Sequence, residues 1–273
     1  MSGAGRPLAS AKGGAAVKKT IVGIIGGTNG MGRWLADLLT AQGCVVHVTG
    51  RKTPMTAVDV AGVCDVVVVS VPIAATAGVI GEVGPLMKKE QLLMDLTSLK
   101  KKPVALMLEH SSAEIVGCHP LFGPSITDSA GSNIVLCRGR GDAWYMWIKT
   151  IFEKTGYTIL ERTPAEHDRM MAIVQAINHL NTIALGLAIA ETGIPLAEVN
   201  QFSTPIFKTK MDIVKKVFTE SPELYADIIA GNPNTDNVLR TYERVVRDLR
   251  SLVTAGDGAT LKSAMEIAAK KLF

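Results

Sequence analysis

The sequence predicts an α/β fold in which a doubly wound sheet is followed by an all-α C-terminal domain. Three observations support this prediction. Short β-branched runs alternate with longer helical patterns from Lys19 to about Ile159, a glycine-rich turn joins the first run to the first helix, and only helical patterns follow Ile159. Alternating strands and helices are typical of a parallel sheet that is covered on both faces.

Composition places the chain among folded, neutral proteins. Its 273 residues are 47% hydrophobic and 20% charged, which supplies sizeable cores and excludes a disordered chain. The formal net charge of +4 equals the four bases of residues 1–19, a segment without acids. The rest of the chain is neutral, so we expect no basic stripe for nucleic acid. Residues 1–19 are expected to be a flexible tail.

The cysteines and the apolar segments indicate the compartment. The four cysteines form neither a C-x-x-C pair nor a zinc spacing, so we expect reduced thiols and no metal site. The tail has no apolar core of the kind found in secretory signals. The most apolar stretch, residues 170–190, is interrupted by polar side chains, which favours a buried helix over a membrane span. We therefore expect a cytoplasmic protein without membrane association.

Six strands are predicted in the first domain, residues 20–164. They lie at 21–25, 44–49, 66–70, 92–95, 114–117 and 134–137. The run at 66–70 is continuously apolar, as parallel strands buried on both faces are. Helices are predicted between them at 31–41, 74–88, 101–110 and 142–155.

The second domain, residues 165–273, is predicted to be helical and to form a dimer. Thr163 precedes Glu166 at capping-box spacing, with Pro164 between them, so a helix should begin here. Helices are expected near 166–192, 195–217, 222–230, 235–254 and 258–272. The first is apolar almost all round, which implies burial by a partner subunit as well as by its own domain. A homodimer through this domain follows.

The glycine-rich turn predicts a dinucleotide site. The run Gly27-Thr28-Asn29-Gly30-Met31-Gly32 follows the fingerprint G-x-G-x-x-G, except that Asn29 replaces the middle glycine. Asparagine tolerates a left-handed backbone better than most residues do. In such motifs the diphosphate lies on the helix N-terminus, where free N–H groups and the helix dipole favour anions. The first domain is therefore predicted to be of the Rossmann type; a glycine turn without a ligand is the alternative.

The end of the second strand indicates which dinucleotide binds. NAD sites usually carry an acid there for the ribose 2′-OH, whereas this strand ends in Thr49-Gly50-Arg51-Lys52, with two bases and no acid. A guanidinium suits a 2′-phosphate, and a hydroxyl of Thr49 or Thr53 would assist it. We predict NADP over NAD. The alternative is a solvated Arg-Lys loop.

Three further segments follow strands at the carboxyl edge of the sheet, where ligands of open α/β sheets bind. They are Ser70-Val71-Pro72, Asp95-Leu96-Thr97-Ser98-Leu99-Lys100 and Gly117-Cys118-His119-Pro120-Leu121-Phe122-Gly123-Pro124. We expect all three to converge on the nicotinamide. His119 is the predicted proton acceptor, because the pKa of imidazole lies near neutrality and Pro120 stiffens the loop that holds it. A structural histidine is the alternative.

Together these motifs resemble the TyrA family, the prephenate and arogenate dehydrogenases of tyrosine biosynthesis. The resemblance covers residues 20–273. Beyond the segments above, it includes Glu166-His167-Asp168, Met171, Val174-Gln175-Ala176 with His179, Ser203 with Pro205-Ile206, and Leu224-Tyr225-Ala226-Asp227-Ile228. Each motif is weak alone, but their order and spacing together are specific.

The resemblance implies an oxidative decarboxylation that depends on NAD(P). Hydride leaves C4 of a cyclohexadienol ring, the C4 hydroxyl loses its proton, and the ring carboxylate departs as CO2. Aromatisation drives this reaction, so no metal is required. In the family's terms His119 is the base on the C4 hydroxyl, Ser98 orients His119 and the substrate, and Lys100 handles the substrate. Gln175 and His179, four residues apart on a helix, would point into the cleft; a polar seam inside a dimer core is the alternative.

The sequence departs from the family in the segment after Ser203-Thr204-Pro205-Ile206, which usually carries arginines for the anionic substrate. The matching residues here are Lys208 and Lys216, and lysine lacks the bidentate fork of arginine. Either substrate binding is weaker, or the substrate differs, for instance 4-amino-4-deoxyprephenate, or another cation substitutes. The candidates for such a cation are Lys215, Lys210 and Arg169.

Two other functions stay open. A β-hydroxy acid dehydrogenase with the same two-domain fold would use a catalytic lysine on the first long helix. No lysine lies between residues 166 and 192, which argues against this function. A non-catalytic NADP sensor would bind NADPH without producing any from prephenate or arogenate. The tail is too short for a chorismate mutase domain and nothing follows Phe273, so we expect a single activity.

Overall fold

The computed structural model describes residues 19–125 and 131–273. The described residues up to Glu161 contain one seven-stranded sheet. Its strands are β1 (Ile21–Ile25), β2 (Val45–Thr49), β3 (Val66–Val69), β4 (Leu92–Asp95), β5 (Glu114–Pro120), β6 (Asn133–Arg140) and β7 (Thr158–Glu161). They lie in the order β2-β1-β3-β4-β5-β6-β7. Only the β5–β6 pair is antiparallel in this sheet; the other neighbours run parallel.

Helices cover both faces of the sheet. They are α1 (Gly30–Ala41), α2 (Ala57–Val63), α3 (Ile73–Val83), α4 (Lys101–His110) and α5 (Ala143–Lys154). Val66 and Val68 of β3 join one core with α1 and α5, whereas Val67 and Val69 join a second core with α2, α3 and α4. Successive side chains of a strand point to opposite faces, so a continuous apolar run is the pattern that a doubly covered strand requires.

The remainder of the chain is helical. It comprises α6 (Pro164–Met171), a π-helical turn (Ala172–Ile177), α7 (Asn178–Glu191), α8 (Leu196–Gln201), α9 (Pro205–Thr219), α10 (Pro222–Gly231), α11 (Thr235–Thr254) and α12 (Gly258–Leu272). The predicted capping box at the start of α6 is present, because Thr163 accepts from the Glu166 backbone and Glu166 accepts from that of Thr163. The predicted fold class, a doubly wound sheet followed by helices, is confirmed.

Several local predictions need correction. β7 and α2 were not expected, and β5 and β6 extend beyond the predicted 114–117 and 134–137. β7 has only four residues at the sheet edge and is only partly buried, so it lacks a strong apolar pattern. α2 has seven residues, but its signal was available: Thr56 and Asp59 form a capping box.

The long helix at 164–191 is less buried than its composition suggests. Within the described residues it is the one helix long and apolar enough to cross a membrane by length and composition, and 17% of its most apolar window is buried. Most of this window is not covered within the single chain, so its burial by a partner subunit as well as by its own domain stays a prediction. Ile173, Val174 and Leu187 are exposed on this helix.

The secondary structure changes from mixed strands and helices to helices alone near residue 164. The sheet ends at Glu161 and the helices begin at Pro164, so a division into 20–164 and 165–273 stays our prediction. The expected flexible tail, residues 1–19, lies outside the described residues except for Lys19.

Gly117 tests how closely α4 packs on β5. A Cβ added at Gly117 would lie 2.6 Å from Cγ2 of Val104 and 3.1 Å from Cδ of Lys100. Because Val104 is β-branched and fixed on a helix, we expect Gly117→Ala to lower the free energy of unfolding by about 1–3 kcal/mol. The measurement is the denaturant midpoint at an unchanged m-value.

Gly78 provides the matched control. It lies exposed inside α3, and no heavy atom stands within 4 Å of its added Cβ. Gly78→Ala should raise the free energy of unfolding by roughly 0.5–1 kcal/mol, since alanine has the higher helix propensity. If Gly117→Ala left the midpoint unchanged or raised it, as Gly78→Ala should, the close packing at Gly117 would be refuted.

Candidate active site

The loops after β1 and β3 meet where the strand order reverses, which is where doubly wound sheets bind ligands. Gly26 has a φ of 85° and donates its N–H to the Thr49 carbonyl at 2.8 Å. A Cβ at Gly26 would lie 2.1 Å from the Ser70 carbonyl oxygen. Only glycine permits both this backbone conformation and this approach. The tight turn therefore centres on Gly26, one residue before the fingerprint we aligned.

The N-terminus of α1 is shaped for an anion. Asn29 is its N-cap in an extended conformation, and no side chain caps the helix. Gly32 packs against the turn, since its Cβ would lie 2.7 Å from the Gly26 carbonyl oxygen. Thr28, Asn29 and Gly30 are exposed around this helix end. The uncapped N–H groups and the helix dipole thus face an open surface.

The bases after β2 are exposed beside this turn. Arg51 and Lys52 are solvent-accessible, and the neighbouring Gly50 lies against Thr28, with 3.1 Å from its added Cβ to Thr28 Cγ2. The predicted hydroxyl partners are otherwise occupied. Thr49 is buried and contributes its carbonyl to the turn, and the Thr53 hydroxyl accepts from the Gly50 backbone at 2.9 Å.

A cavity of about 350 Å³ lies between this edge of the sheet and the helices. It brings together residues from six of the predicted segments. Its lining includes Met31, Ser70, Val71, Pro72, Ser98, His119, Gln175, His179 and Tyr225. Loops of the sheet supply one wall and the helical half supplies the other.

His119 lies on a strand and not on a loop. It belongs to β5, where its backbone pairs with Val135 of β6, and its side chain is buried at 4% exposure while still lining the cavity. Its Nδ1 lies 2.8 Å from Nε2 of His167. Sheet pairing, rather than a loop stiffened by Pro120, fixes the backbone of His119.

His167 and Asp168 form a buried polar chain behind His119. Nδ1 of His167 lies 2.8 Å from Oδ1 of Asp168. Asp168 also accepts the backbone N–H of Lys100 at 2.8 Å and that of Lys101 at 3.0 Å, at the start of α4. Sequence reasoning placed both residues in the family resemblance without giving them a role. The available signal was a His-Asp pair directly after Glu166, the last residue of the capping box.

Burial sets the protonation of this chain. It lowers the pKa of His119 well below the usual value, and the neighbouring His167 and Lys100 lower it further. Burial also lowers the pKa of His167, although the hydrogen bond to Asp168 opposes it. Burial would raise the pKa of Asp168, but the hydrogen bonds from His167 and the two backbone N–H groups outweigh it and lower that pKa. Near neutral pH, two neutral imidazoles adjoin a carboxylate.

Lys100 is not in the cavity. Its side chain is fully buried, and Nζ pairs with Oδ2 of Asp95, which also accepts from Thr97. An ammonium group enclosed in this way does not reach a ligand, so the predicted substrate contact of Lys100 is not supported. Ser98 does line the cavity, but within the described ranges the side chain bonded to His119 is that of His167.

Gln175 and His179 both line the cavity. Gln175 precedes the end of a π-helical turn, and His179 follows it. Gln175 lies within this turn, Ala172–Ile177, which sequence periodicity does not reveal. Its Oε1 is buried without a hydrogen-bond partner. His179 packs edge-on against Tyr225, with ring centroids 4.7 Å apart. Single π-turns are frequent at functional sites because they redirect side chains locally.

The predicted cations of the helical half lie elsewhere. Lys208 and Lys215 line a separate groove between α7 and α9, and Lys216 is exposed on α9. Neither Lys210 nor Arg169 borders the cavity. Over residues 19–125 and 131–273, no lysine or arginine lines it. The structure therefore does not bring Lys208 and Lys216 to the predicted substrate site.

Comparison with known proteins matches two family models in succession. The nucleotide-binding domain of prephenate dehydrogenase matches residues 39–159. The dimerization domain of prephenate dehydrogenase matches residues 163–267. The two models together cover most of the chain.

Three relatives illustrate the similarity. A probable arogenate/prephenate dehydrogenase of Methanocaldococcus jannaschii is 31% identical, over 91% of this chain and 60% of its own. The T-protein of Haemophilus influenzae is 34% identical, over 81% of this chain and 59% of its own. A 4-amino-4-deoxyprephenate dehydrogenase of Streptomyces pristinaespiralis is 24% identical, over 87% and 86%. The chain spans about 60% of the length of the first two.

Solved structures share the fold. Prephenate dehydrogenase from Aquifex aeolicus, in complex with hydroxyphenyl propionate and NAD+, has a TM-score of 0.76 at 18% identity, covering 94% of this chain and 99% of its own. Arogenate dehydrogenase from Synechocystis has a TM-score of 0.71 at 17% identity, covering 92% and 98%. At these identities the likeness shows the fold alone.

Asp168 is the residue whose loss should most disturb this site. Asp168→Ala leaves two backbone N–H groups and one imidazole without their acceptor, so the free energy of unfolding should fall by about 2–4 kcal/mol at neutral pH. A carboxylate with a lowered pKa stabilises the fold only while it is ionised. The deficit should therefore shrink as the pH falls below the usual value of 3.8 and through the folded pKa.

The measurement is denaturant unfolding of both proteins at neutral and acid pH. Asp37→Ala is the matched control, because Asp37 pairs with Arg33 on the exposed face of α1 and should change stability by less than about 0.5 kcal/mol. Equal, small effects of the two substitutions would show that Asp168 does not make the expected contribution to the free energy of unfolding.

Proposed function

The chain belongs to the prephenate dehydrogenase family, and from this premise we propose that it oxidatively decarboxylates prephenate or arogenate with NADP as hydride acceptor. The observation that carries the proposal is the position of His119. Its imidazole borders a cavity that the dinucleotide-loop residues Ser70-Val71-Pro72 border as well. The base must reach the hydroxyl group, and the hydride acceptor the hydrogen, of one substrate carbon, and this cavity offers them a common space.

The residues of the turn support a dinucleotide. The α1 N-terminus has no side-chain cap, and Gly26 and Gly32 permit the tight turn that brings this helix end against the sheet. The exposed Arg51 and Lys52, with no acid beside them, favour a 2′-phosphate and hence NADP. When bound, the nicotinamide would supply the hydride-accepting carbon.

The chain's own residues handle the proton and the orientation of the substrate. His119, kept neutral by burial, accepts the proton of the C4 hydroxyl as the C4 hydride departs. It returns that proton to the phenolic oxygen once loss of CO2 has completed the aromatic ring. Ser98, Gln175 and His179 line the same cavity and are the proposed hydrogen-bonding partners of the substrate. Lys100, which does not line the cavity, pairs with the buried Asp95.

The proposal names a class of cyclohexadienyl substrates and does not choose one member of it. The cavity wall formed by the described residues holds neutral donors and no lysine or arginine, so it does not provide the cation that a strongly anionic substrate favours. Prephenate, arogenate and 4-amino-4-deoxyprephenate all carry two carboxylates, so this observation does not choose between them, and 4-amino-4-deoxyprephenate stays the second candidate. The relative from Streptomyces pristinaespiralis is named for that substrate.

A homodimer through the helical half completes the proposal. The second matched family model is named for dimerization. Large apolar side chains are exposed on these helices: Ile173, Val174, Leu187, Phe202 and Ile206. Burying such surface against a second copy is the usual way to keep it from water. The four free cysteines suit the cytoplasm, which keeps thiols reduced.

His119→Asn tests the reaction. The wild-type protein should produce reduced nicotinamide, followed by its absorbance, from at least one of prephenate, arogenate and 4-amino-4-deoxyprephenate with NADP. His119→Asn should lower kcat roughly 10²–10⁴-fold with cofactor binding intact, because the proton acceptor is lost. His110→Asn, at the exposed end of α4, is the control. Comparable turnover in the His119 variant would end this assignment.

Arg51→Glu tests the cofactor. A carboxylate at the end of β2 repels a 2′-phosphate and accepts a ribose hydroxyl, so affinity for NADP should fall by roughly tenfold or more while that for NAD holds or improves. Lys19→Glu, also a basic residue at an exposed position, controls for the change of charge. An unchanged preference would refute the proposed 2′-phosphate site, and the assay is cofactor titration.

A further inference from the structure

We propose that His167 and Asp168 are positioning residues that fix His119 as the tautomer with its proton on Nδ1 and a lone pair on Nε2. The inference about the tautomer stands on hydrogen-bond geometry and on the burial of His167. Its consequence for catalysis rests on the function proposed above, in which His119 accepts a proton from the substrate.

The argument starts at Asp168, which can only accept. Its two oxygens receive the backbone N–H groups of Lys100 and Lys101 at the first turn of α4, where the helix dipole also favours a negative charge. An ionised carboxylate has no proton to give. In the 2.8 Å contact between Oδ1 of Asp168 and Nδ1 of His167, the imidazole must therefore be the donor.

The proton on Nδ1 of His167 determines which nitrogen of His119 is protonated. A neutral imidazole carries one ring proton, so His167 with its proton on Nδ1 has a bare Nε2 that can only accept. That Nε2 lies 2.8 Å from Nδ1 of His119, which must donate. The one nitrogen of His119 left without a proton is Nε2. Because Nδ1 faces His167, the lone pair of Nε2 is the one available to the cavity that His119 lines.

Burial favours the neutral state of His167, although the adjacent Asp168 carboxylate opposes it. His167 is 1% exposed, and the groups that face it are Asp168, His119 and the buried Lys100–Asp95 pair. Protonated His167 would donate from Nε2 to His119 and place a proton on Nε2 of that ring. Such a His119 would be a donor and not a base. Burial disfavours this state, which is the direction of the lowered pKa of His167.

The tautomer also depends on how the two halves of the chain dock. His119 lies on β5 of the sheet, whereas His167 and Asp168 lie on α6. The amide of Asn232, at the end of α10, donates to the Asp168 carbonyl at 2.7 Å and helps fix α6. The base is therefore competent only when the helical half sits on the sheet.

The first measurement reads the tautomer directly. ¹⁵N-histidine labelling of the full chain gives signals for five rings, and the signal lost in His119→Asn identifies His119. At neutral and alkaline pH we expect its Nε2 at the shift of an unprotonated ring nitrogen and its Nδ1 bonded to hydrogen. A proton on Nε2 would overturn the inference. This readout needs no turnover.

The second measurement compares two replacements of His167. Leucine removes the acceptor of His119, whereas the carbonyl of glutamine can restore it. We expect His167→Leu to lower kcat roughly 10–10³-fold at a KM within about threefold, and His167→Gln to stay within about tenfold of wild type. His110→Leu, at an exposed histidine, should leave both constants unchanged.

The outcomes separate the inference from the proposed function. If leucine and glutamine reduce kcat equally, and unfolding midpoints fall with it, His167 is structural and the positioning role is refuted. If no substrate and cofactor pair gives turnover while Nε2 is unprotonated, the proposed function fails and the tautomer stands. If turnover is normal and Nε2 carries the proton, the tautomer fails and the function stands.

Discussion

The carboxylate of Asp168 is the group on which the arrangement of this molecule depends. It comes from α6, caps the first turn of α4, and holds His167 against His119. A helix N-terminus leaves N–H groups without intrahelical partners, and a carboxylate satisfies them while the helix dipole stabilises its charge. One side chain thereby joins the helical half to the sheet and orders the imidazole at the cavity.

Other charged side chains are buried close to this carboxylate. Lys100 and Asp95 form an ion pair with no solvent exposure, and Oδ1 of Asp95 has no hydrogen-bond partner in the part of the chain that is described. Buried ion pairs contribute little net stability, because desolvation offsets their attraction. Gly117, without a Cβ, leaves the room that the Lys100 stem occupies. Polar groups retained at such cost are typical of sites where geometry serves chemistry.

The helical half exposes apolar surface that the proposed second copy of the chain would cover. Its leading helix carries apolar side chains that the single chain leaves exposed, while its polar residues Gln175 and His179 face the cavity. The π-helical turn makes this division possible, because an extra residue in the turn changes which side chains share a face. The two faces of one helix thus serve the proposed second subunit and the proposed substrate.

The sequence by itself determined the alternation of strands and helices, the glycine turn, the capping box at Thr163 and the placement of His119 at the sheet edge. These features depend on neighbours close along the chain, through apolar periodicity, backbone freedom and local hydrogen bonds. It did not determine the roles of Lys100, His167 and Lys208. A lysine in a site-like motif and one in a buried ion pair look alike in sequence, since burial is set by segments far away. Only the tertiary structure brought α6 onto β5 and α4, and with it the pairing of His119 and His167, 48 residues apart. The reason is that long-range contacts are fixed by packing of whole elements, which no local pattern encodes.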